Sequence, residues 1–293
     1  MRRLIVNADD FGLTPGVNRA VIELHRASAL TSATLMAVAP SFAEAVDLAK
    51  ENPRLGIGCH IVLVDGAPLS PPGEIPSLLD PESPVPAFRP TLGGFVRDLV
   101  LGRIHPQHIL VEATAQVQRL QASGLALTHV DTHKHTHIFP RVLAPVLQAA
   151  RACGVRRIRN PFEPEWSVRA TPQAGKLRWL EVRLLHKLWR GFLSHVNAAE
   201  MSTTDGCLGV LATGTLDANT IDSILSPMPP GTWELLCHPA YVDAELRAAH
   251  TRLVGSRATE LQALLATLAC ATEKDAAAEG ADMQRIHFGD LPV

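Results

Sequence analysis

Short apolar runs of strand length alternate along this chain with longer segments of helical periodicity, and that alternation leaves few folds open. RLIVNADD (3–10) precedes TPGVNRAVIELHRAS (14–28), where Thr14 suits an N-cap, Pro15 the first helical position, and Val17, Val21 and Leu24 share one face. LTSATLMAV (30–38) precedes SFAEAVDLAKENP (41–53), in which Ser41 and Glu44 have the spacing of a capping box. LGIGCHIVL (55–63), LALTHVDTH (125–133), VRRIRN (155–160) and GTWELLCHP (231–239) read as further strands. Between and after them come the helical patterns QHILVEATAQVQRLQASG (107–124, with Leu110, Ala113, Val117 and Leu120 on one side), PRVLAPVLQAARACG (140–154) and TRLVGSRATELQALLATLA (251–269). Such alternation builds a parallel sheet with helices outside, as a barrel or as an open doubly wound sheet.

The position of the polar residues chooses between the two. Asp9, Asp10, His60, His133 and His238 all fall where a strand ends and a loop begins. A closed barrel gathers those ends on one face, where such enzymes work. The expected fold is therefore an α/β chain forming a distorted or incomplete (β/α) barrel, with a single catalytic domain over residues 1–293. Two segments interrupt the pattern: a Pro-rich loop at about 64–94, expected to be a lid or mobile, and an amphipathic helical insertion at about 174–196.

The densest chemistry lies in HVDTHKHTH (129–137). On an extended strand His129, Asp131 and His133 share a face, followed by His135 and His137 if the strand continues. Same-face neighbours lie roughly 6.5–7 Å apart, whereas the ligands of one ion sit about 2.0–2.2 Å from it. The run cannot converge on a single metal, and some of these side chains must orient ligands, touch substrate or cap helices. Taken singly, each histidine reads equally well as a hydrogen-bonded strand end. Together they point to metal binding or proton transfer. The adjacent carboxylates of Asp9 and Asp10 can face one site only if the chain turns there, as the following Phe11–Gly12 permits.

Composition excludes other classes. A net charge of -2 gives no basic footprint for nucleic acid. The N-terminal LIV is interrupted at once by polar residues, and no apolar run approaches the ~18 residues of a membrane span. The cysteines Cys59, Cys153, Cys207, Cys237 and Cys270 are odd in number and scattered, which suits reduced thiols and a cytoplasmic chain.

Four motifs, NADDFG (7–12), GCHIVL (58–63), THVDTHKHTH (128–137) and CHPAY (237–241), resemble those of the YdjC-like carbohydrate deacetylases, also called the ChbG family, in order and spacing. The resemblance covers nearly the whole chain. It implies a distorted barrel of the deacetylase type and hydrolysis of the N-acetyl group of an amino sugar with one divalent ion, Zn²⁺, Mg²⁺, Mn²⁺ or Co²⁺. It further implies that Asp10, His60 and His133 hold the metal, that Asp9 is the general base and His238 the general acid. His129, Asp131, His135, His137 and Arg159 would orient ligands or contact the sugar. Ala240 stands where family members usually carry Gly, and Thr132 where Ser is common.

The C-terminal segments RNPFEPEW (159–166), TTDGCLGVLATGTLD (203–217) and PPGTWELLCHPAYVDAEL (229–246) are similar to the hopanoid-biosynthesis branch, whose implied substrate is an N-acetylglucosaminyl lipid. KLRWLEVRLLHKLWRGFL (176–193) mixes leucines and tryptophans with basic residues, a pattern that suits peripheral contact with the inner membrane face. It equally suits a helix packed on the barrel. Soluble chitooligosaccharides, a non-catalytic sugar or lipid binder, and the two-histidine, one-carboxylate triad of non-haem iron oxygenases are the competing readings. A homodimer is compatible with the sequence, though nothing in it specifies one.

Overall fold

The computed structural model describes residues 1–172, 175–249, 251–269 and 283–293, so Cys270 lies outside the described residues. Seven strands follow in chain order: β1 Arg2–Phe11, β2 Ser32–Leu35, β3 Gly56–Ile61, β4 Leu127–Thr132, β5 Gly206–Leu208, β6 Gly231–Cys237 and β7 Met283–Arg285. The helices are α1 Pro15–Arg26, α2 Phe42–Glu51, α3 Leu92–Val100, α4 Pro106–Ala122, α5 Pro140–Ala152, α6 Glu165–Ala170, α7 Lys176–Leu185, α8 Trp189–Ala198, α9 Ala218–Leu225, α10 Ala244–Ala248 and α11 Gly255–Leu268.

Every pairing between these strands is parallel. β1 lies at the centre of the order β4-β3-β2-β1-β6-β5. β6 runs along one edge of β1 from Arg2 to Ala8, while the other edge is shared by β7 at Arg2–Leu4 and β2 at Asn7–Phe11. The two ends of the sheet meet through isolated parallel bridges, Val130 with Ile158 and Arg157 with Ser202, and by the Cys207 amide donating to the Phe162 carbonyl. A parallel ring bridged at one seam by single pairs is a distorted (β/α) barrel. Leu4, Ile5, Val6 and Ala8 of β1 are all fully buried, as a parallel strand covered on both faces must be.

The helices form for the expected local reasons, with two corrections. Thr14 accepts from the Val17 amide, and Val17, Val21 and Leu24 of α1 are buried. At α2 the capping box does not form: Ser41 makes no side-chain cap, and Glu44 accepts instead from Asn18 Nδ2 at 2.8 Å. A buried amide in need of acceptors outcompetes the local motif. On α4 the buried face includes Ile109, Ala113, Val117 and Leu120, turned slightly from the expected one, so that Leu110 is half-buried.

Single side chains tie the Pro-rich segment to the barrel. Glu112, buried on α4, accepts from the amides of Leu69 and Ser70 at 2.9 Å each. Arg89 ties the carbonyls of Ser77 and Leu78 to the carboxylate of Asp98. Ile75, Leu78 and Phe88 join the core, which repays the loss of regular structure imposed by the prolines. The insertion is likewise two helices: α7 and α8 are separated by the 3₁₀ turn His186–Leu188. Phe192 and Val196 of α8 are buried, whereas Leu177, Leu180 and Leu184 of α7 are exposed. Among the described residues no helix is long and apolar enough to cross a membrane.

Candidate active site

The site begins at the end of β1. Asp10 has φ +64° and Gly12 φ +94°, and the register with β2 slips between Ala8 and Phe11. This turn allows two adjacent carboxylates to face the same cavity, which an extended strand forbids. Asp9 is bound by both guanidinium nitrogens of Arg159 (2.8 and 2.6 Å), by Asn7 Nδ2 (3.0 Å) and by Thr34 Oγ1 (3.0 Å). Burial alone would raise its pKa, but Arg159, with help from His60 and His238, holds the carboxyl well below the usual range. Asp9 is therefore ionised.

Asp10 is held on one side only. Its Oδ2 meets Arg257 Nη2 of α11 at 2.5 Å, while its Oδ1 is buried and accepts no hydrogen bond. That free oxygen lies 3.5 Å from His60 Nε2 and 3.3 Å from His133 Nδ1, and the two histidine nitrogens are 3.3 Å apart. Atoms that share an ion at about 2.0–2.2 Å lie roughly 3.0–3.5 Å from one another, so this triangle has the dimensions of half a coordination shell. His60 Nδ1 is engaged by Asp131 Oδ1 at 2.8 Å, which fixes the ring and turns Nε2 toward the triangle. Although burial opposes its charge, Asp131, Asp9 and Asp10 push the pKa of His60 up to about 9. The site thus attracts positive charge, and the donor set of one carboxylate and two imidazoles fits a divalent cation. Asp9, His60 and Asp131 also cluster, but Arg159 occupies both carboxylates and leaves no room for an ion.

β4 ends at Thr132, and the histidine run does not continue as a strand. His133–Ile138 forms a 3₁₀ segment with Lys134 and His135 in the left-handed region (φ +55° and +53°). The break swings His133, Lys134 and His135 to the cavity wall. His129 and His137 go elsewhere. His129 stacks on Phe288 at 3.7 Å and 12°, and a Cβ at Gly58 would overlap its ring. His137 is buried between Thr132 Oγ1 (2.7 Å) and the Arg159 carbonyl (3.3 Å), where burial drops its pKa to about 3. Neither of the two lines the cavity. Arg159 is fully buried among Asp9, Asp131 and Glu234, so it is placed to fix carboxylates and cannot reach a substrate.

Opposite the triangle, His238 follows β6 with Nε2 4.0 Å from Asp9 Oδ2. Burial lowers its pKa to about 4 against the pull of Asp9 and Asp10, and Glu260 of α11 accepts from its amide at 2.6 Å. No sequence pattern pointed to Arg257, Glu260 or Glu234. The first two stand three apart in an ordinary amphipathic pattern, and their partners are distant in sequence. Asp9, Asp10, His60, His133, His135, His238 and Arg257 open into a cavity of about 1160 Å³ whose walls include Leu13, Met36, Ile138, Val182, Leu185 and Leu253.

Residues 3–269 match a family described as YdjC-like protein. The chain belongs to the YdjC-like family. It is similar to a carbohydrate deacetylase of Brevibacillus brevis, 44% identical over 162 residues, a match spanning 55% of this chain and 60% of that relative. Against a chitooligosaccharide deacetylase of Salmonella paratyphi C the identity is 31% over 274 residues, 90% of each protein. A solved structure from Enterococcus faecalis V583, assigned provisionally to cellobiose-phosphate cleavage, superposes with a TM-score of 0.73 at 24% identity. That match covers 100% of this chain and 99% of that one, and it supports the fold alone.

Proposed function

We propose that this chain is a metal-dependent carbohydrate N-deacetylase that releases acetate from an N-acetylated amino sugar. The observation that carries this reading is the triangle of Asp10, His60 and His133, flanked in one cavity by the ionised carboxylate of Asp9 and the imidazole of His238. YdjC-like relatives named as carbohydrate and chitooligosaccharide deacetylases support it.

A divalent ion held by the triangle would act as a Lewis acid toward the acetamide oxygen and make water a better nucleophile. The remaining steps belong to side chains. Asp9, fixed by Arg159, accepts a proton as water forms the new C–O bond. That proton then lies close to His238, whose neutral imidazole takes it and delivers it to the departing nitrogen as the C–N bond breaks. His135, half-buried on the cavity wall, and Lys134, paired with Asp65 at 2.7 Å, would meet sugar hydroxyls.

The finer substrate is the N-acetylglucosaminyl head group of a hopanoid lipid. Support comes from the C-terminal segments that resemble the hopanoid branch and from the apolar residues in the cavity walls. Such a substrate implies work at the inner membrane face. The relative named as a chitooligosaccharide deacetylase favours a second reading, a soluble chitooligosaccharide. Acetate release from each substrate by the same metal-loaded protein separates the two. Release from the lipid and not the sugar supports the finer reading, release from the sugar alone removes it, and release from neither leaves a sugar or lipid binder.

A further inference from the structure

α7 presents to solvent the residues a helix normally hides. Leu177 is 73% exposed, Leu180 48%, Leu184 52% and Trp179 38%, and these four are the largest group on one element among the exposed large apolar side chains described. Leu177, Leu180 and Leu184 follow at i, i+3 and i+7, so they form a single stripe. The opposite side of the same helix does pack, with Arg178, Glu181, Val182 and Leu185 lining the catalytic cavity. α7 is therefore one wall of the cavity, with its apolar stripe turned outward to solvent. Leu92, which lines the same cavity, is 36% exposed.

The charge around the stripe identifies what can cover it. Segment 176–190 carries Lys176, Arg178, Arg183, Lys187 and Arg190 against one acid, Glu181, in a chain whose net charge is -2. Arg183 lies over the Trp179 ring at 4.6 Å, and Lys187 and Arg190 are exposed. A second copy of the chain is a poor occupant, because a two-fold contact would press this basic segment against itself. An anionic lipid surface satisfies both features: leucines enter the acyl boundary, while Trp179 and the basic heads sit at the head-group level.

We infer that α7 is a docking face for an anionic bilayer, and that docking holds the cavity wall formed by α7 beside the lipid surface. The orientation rests on the lipid-linked reading of the substrate, whereas the docking itself does not.

The experiment is flotation of the full-length, metal-loaded protein with vesicles of phosphatidylcholine alone or mixed with phosphatidylglycerol, at low and high salt. The wild type should float with the anionic vesicles and release on adding salt. L180E/L184E, whose side chains are exposed and do not line the cavity, should lose binding roughly tenfold or more while keeping its rate on a soluble N-acetylated sugar. R183E/K187E should likewise lose roughly tenfold or more. L101E, an exposed leucine on another helix boundary, should change nothing. Failure of the wild type to float, or equal flotation of L180E/L184E, overturns the inference. So does a dimer in sedimentation that L180E/L184E abolishes without any vesicle binding. Vesicle binding by a protein that deacetylates neither sugar nor lipid would leave the docking face standing and remove the deacetylase reading.

Discussion

Asp9 and Asp10 are chain neighbours of similar burial, 2% and 3% exposed, but their surroundings separate their chemistry. Both oxygens of Asp9 are taken by Arg159, whereas Asp10 keeps Oδ1 free beside two histidine nitrogens. Asp9→Asn should therefore leave metal affinity nearly unchanged by titration calorimetry and lower kcat about 10²–10⁴-fold. A near-normal rate in that variant would reassign the base. Arg257 keeps Asp10 single-sided, and Arg257→Met should weaken metal binding about 10–100-fold in a chelator competition, even where saturating metal restores turnover. Glu260 carries a different signature. Burial pushes its carboxyl up to about 7, so the folded chain binds its proton more tightly than the unfolded chain does. Stability should fall as pH rises from the unfolded value of about 4.5 through 7. Glu260→Gln keeps an acceptor for the His238 amide, so it should match the wild type at the acid end and exceed it by about 1–3 kcal/mol above pH 7. Denaturant melts at each pH check this, and parallel curves for the two proteins would contradict it.

Among the elements, strand and helix alternation was readable because each unit carries its own period, caps and turn residues. The strand-end placement of Asp9, Asp10, His60 and His238 followed from it. What escaped the sequence depends on contacts between distant elements. The histidine run looks like a strand of period two, yet it turns at Lys134 and His135, and so His133 and His135 reach the cavity while His129 and His137 are packed away. Arg257 meets Asp10 across 247 positions, which no local pattern announces. The anchors of the Pro-rich segment, Glu112 and Arg89, were not legible because they are single side chains with backbone partners. The β3–β4 contact gives its own test. Gly58 is pressed against the His129 ring, so Gly58→Ala should cost about 1–3 kcal/mol, and His129→Ala in the same chain should recover part of it. Equal losses with and without His129 would mean the glycine serves another purpose.

At the scale of the whole molecule, the parallel ring collects residues from β1 and β3, from the segments that follow β4 and β6, and from α11 around one cavity, although they are spread from Asp9 to Arg257. Carboxylates outnumber guanidinium groups at its floor, with Asp9, Asp10, Asp131 and Glu234 facing Arg159 and Arg257. The imbalance favours a cation at the site and raises the pKa of His60 to about 9. The central claim is that this cation makes the site an N-deacetylase. The most direct measurement is acetate release from N-acetylated amino sugars by chelator-stripped protein titrated with Zn²⁺, Co²⁺, Mn²⁺ or Mg²⁺, with metal content followed by elemental analysis. Activity should be absent from the stripped protein and return in proportion to metal, saturating at one ion per chain. Full acetate release by protein shown to contain no metal would contradict the account.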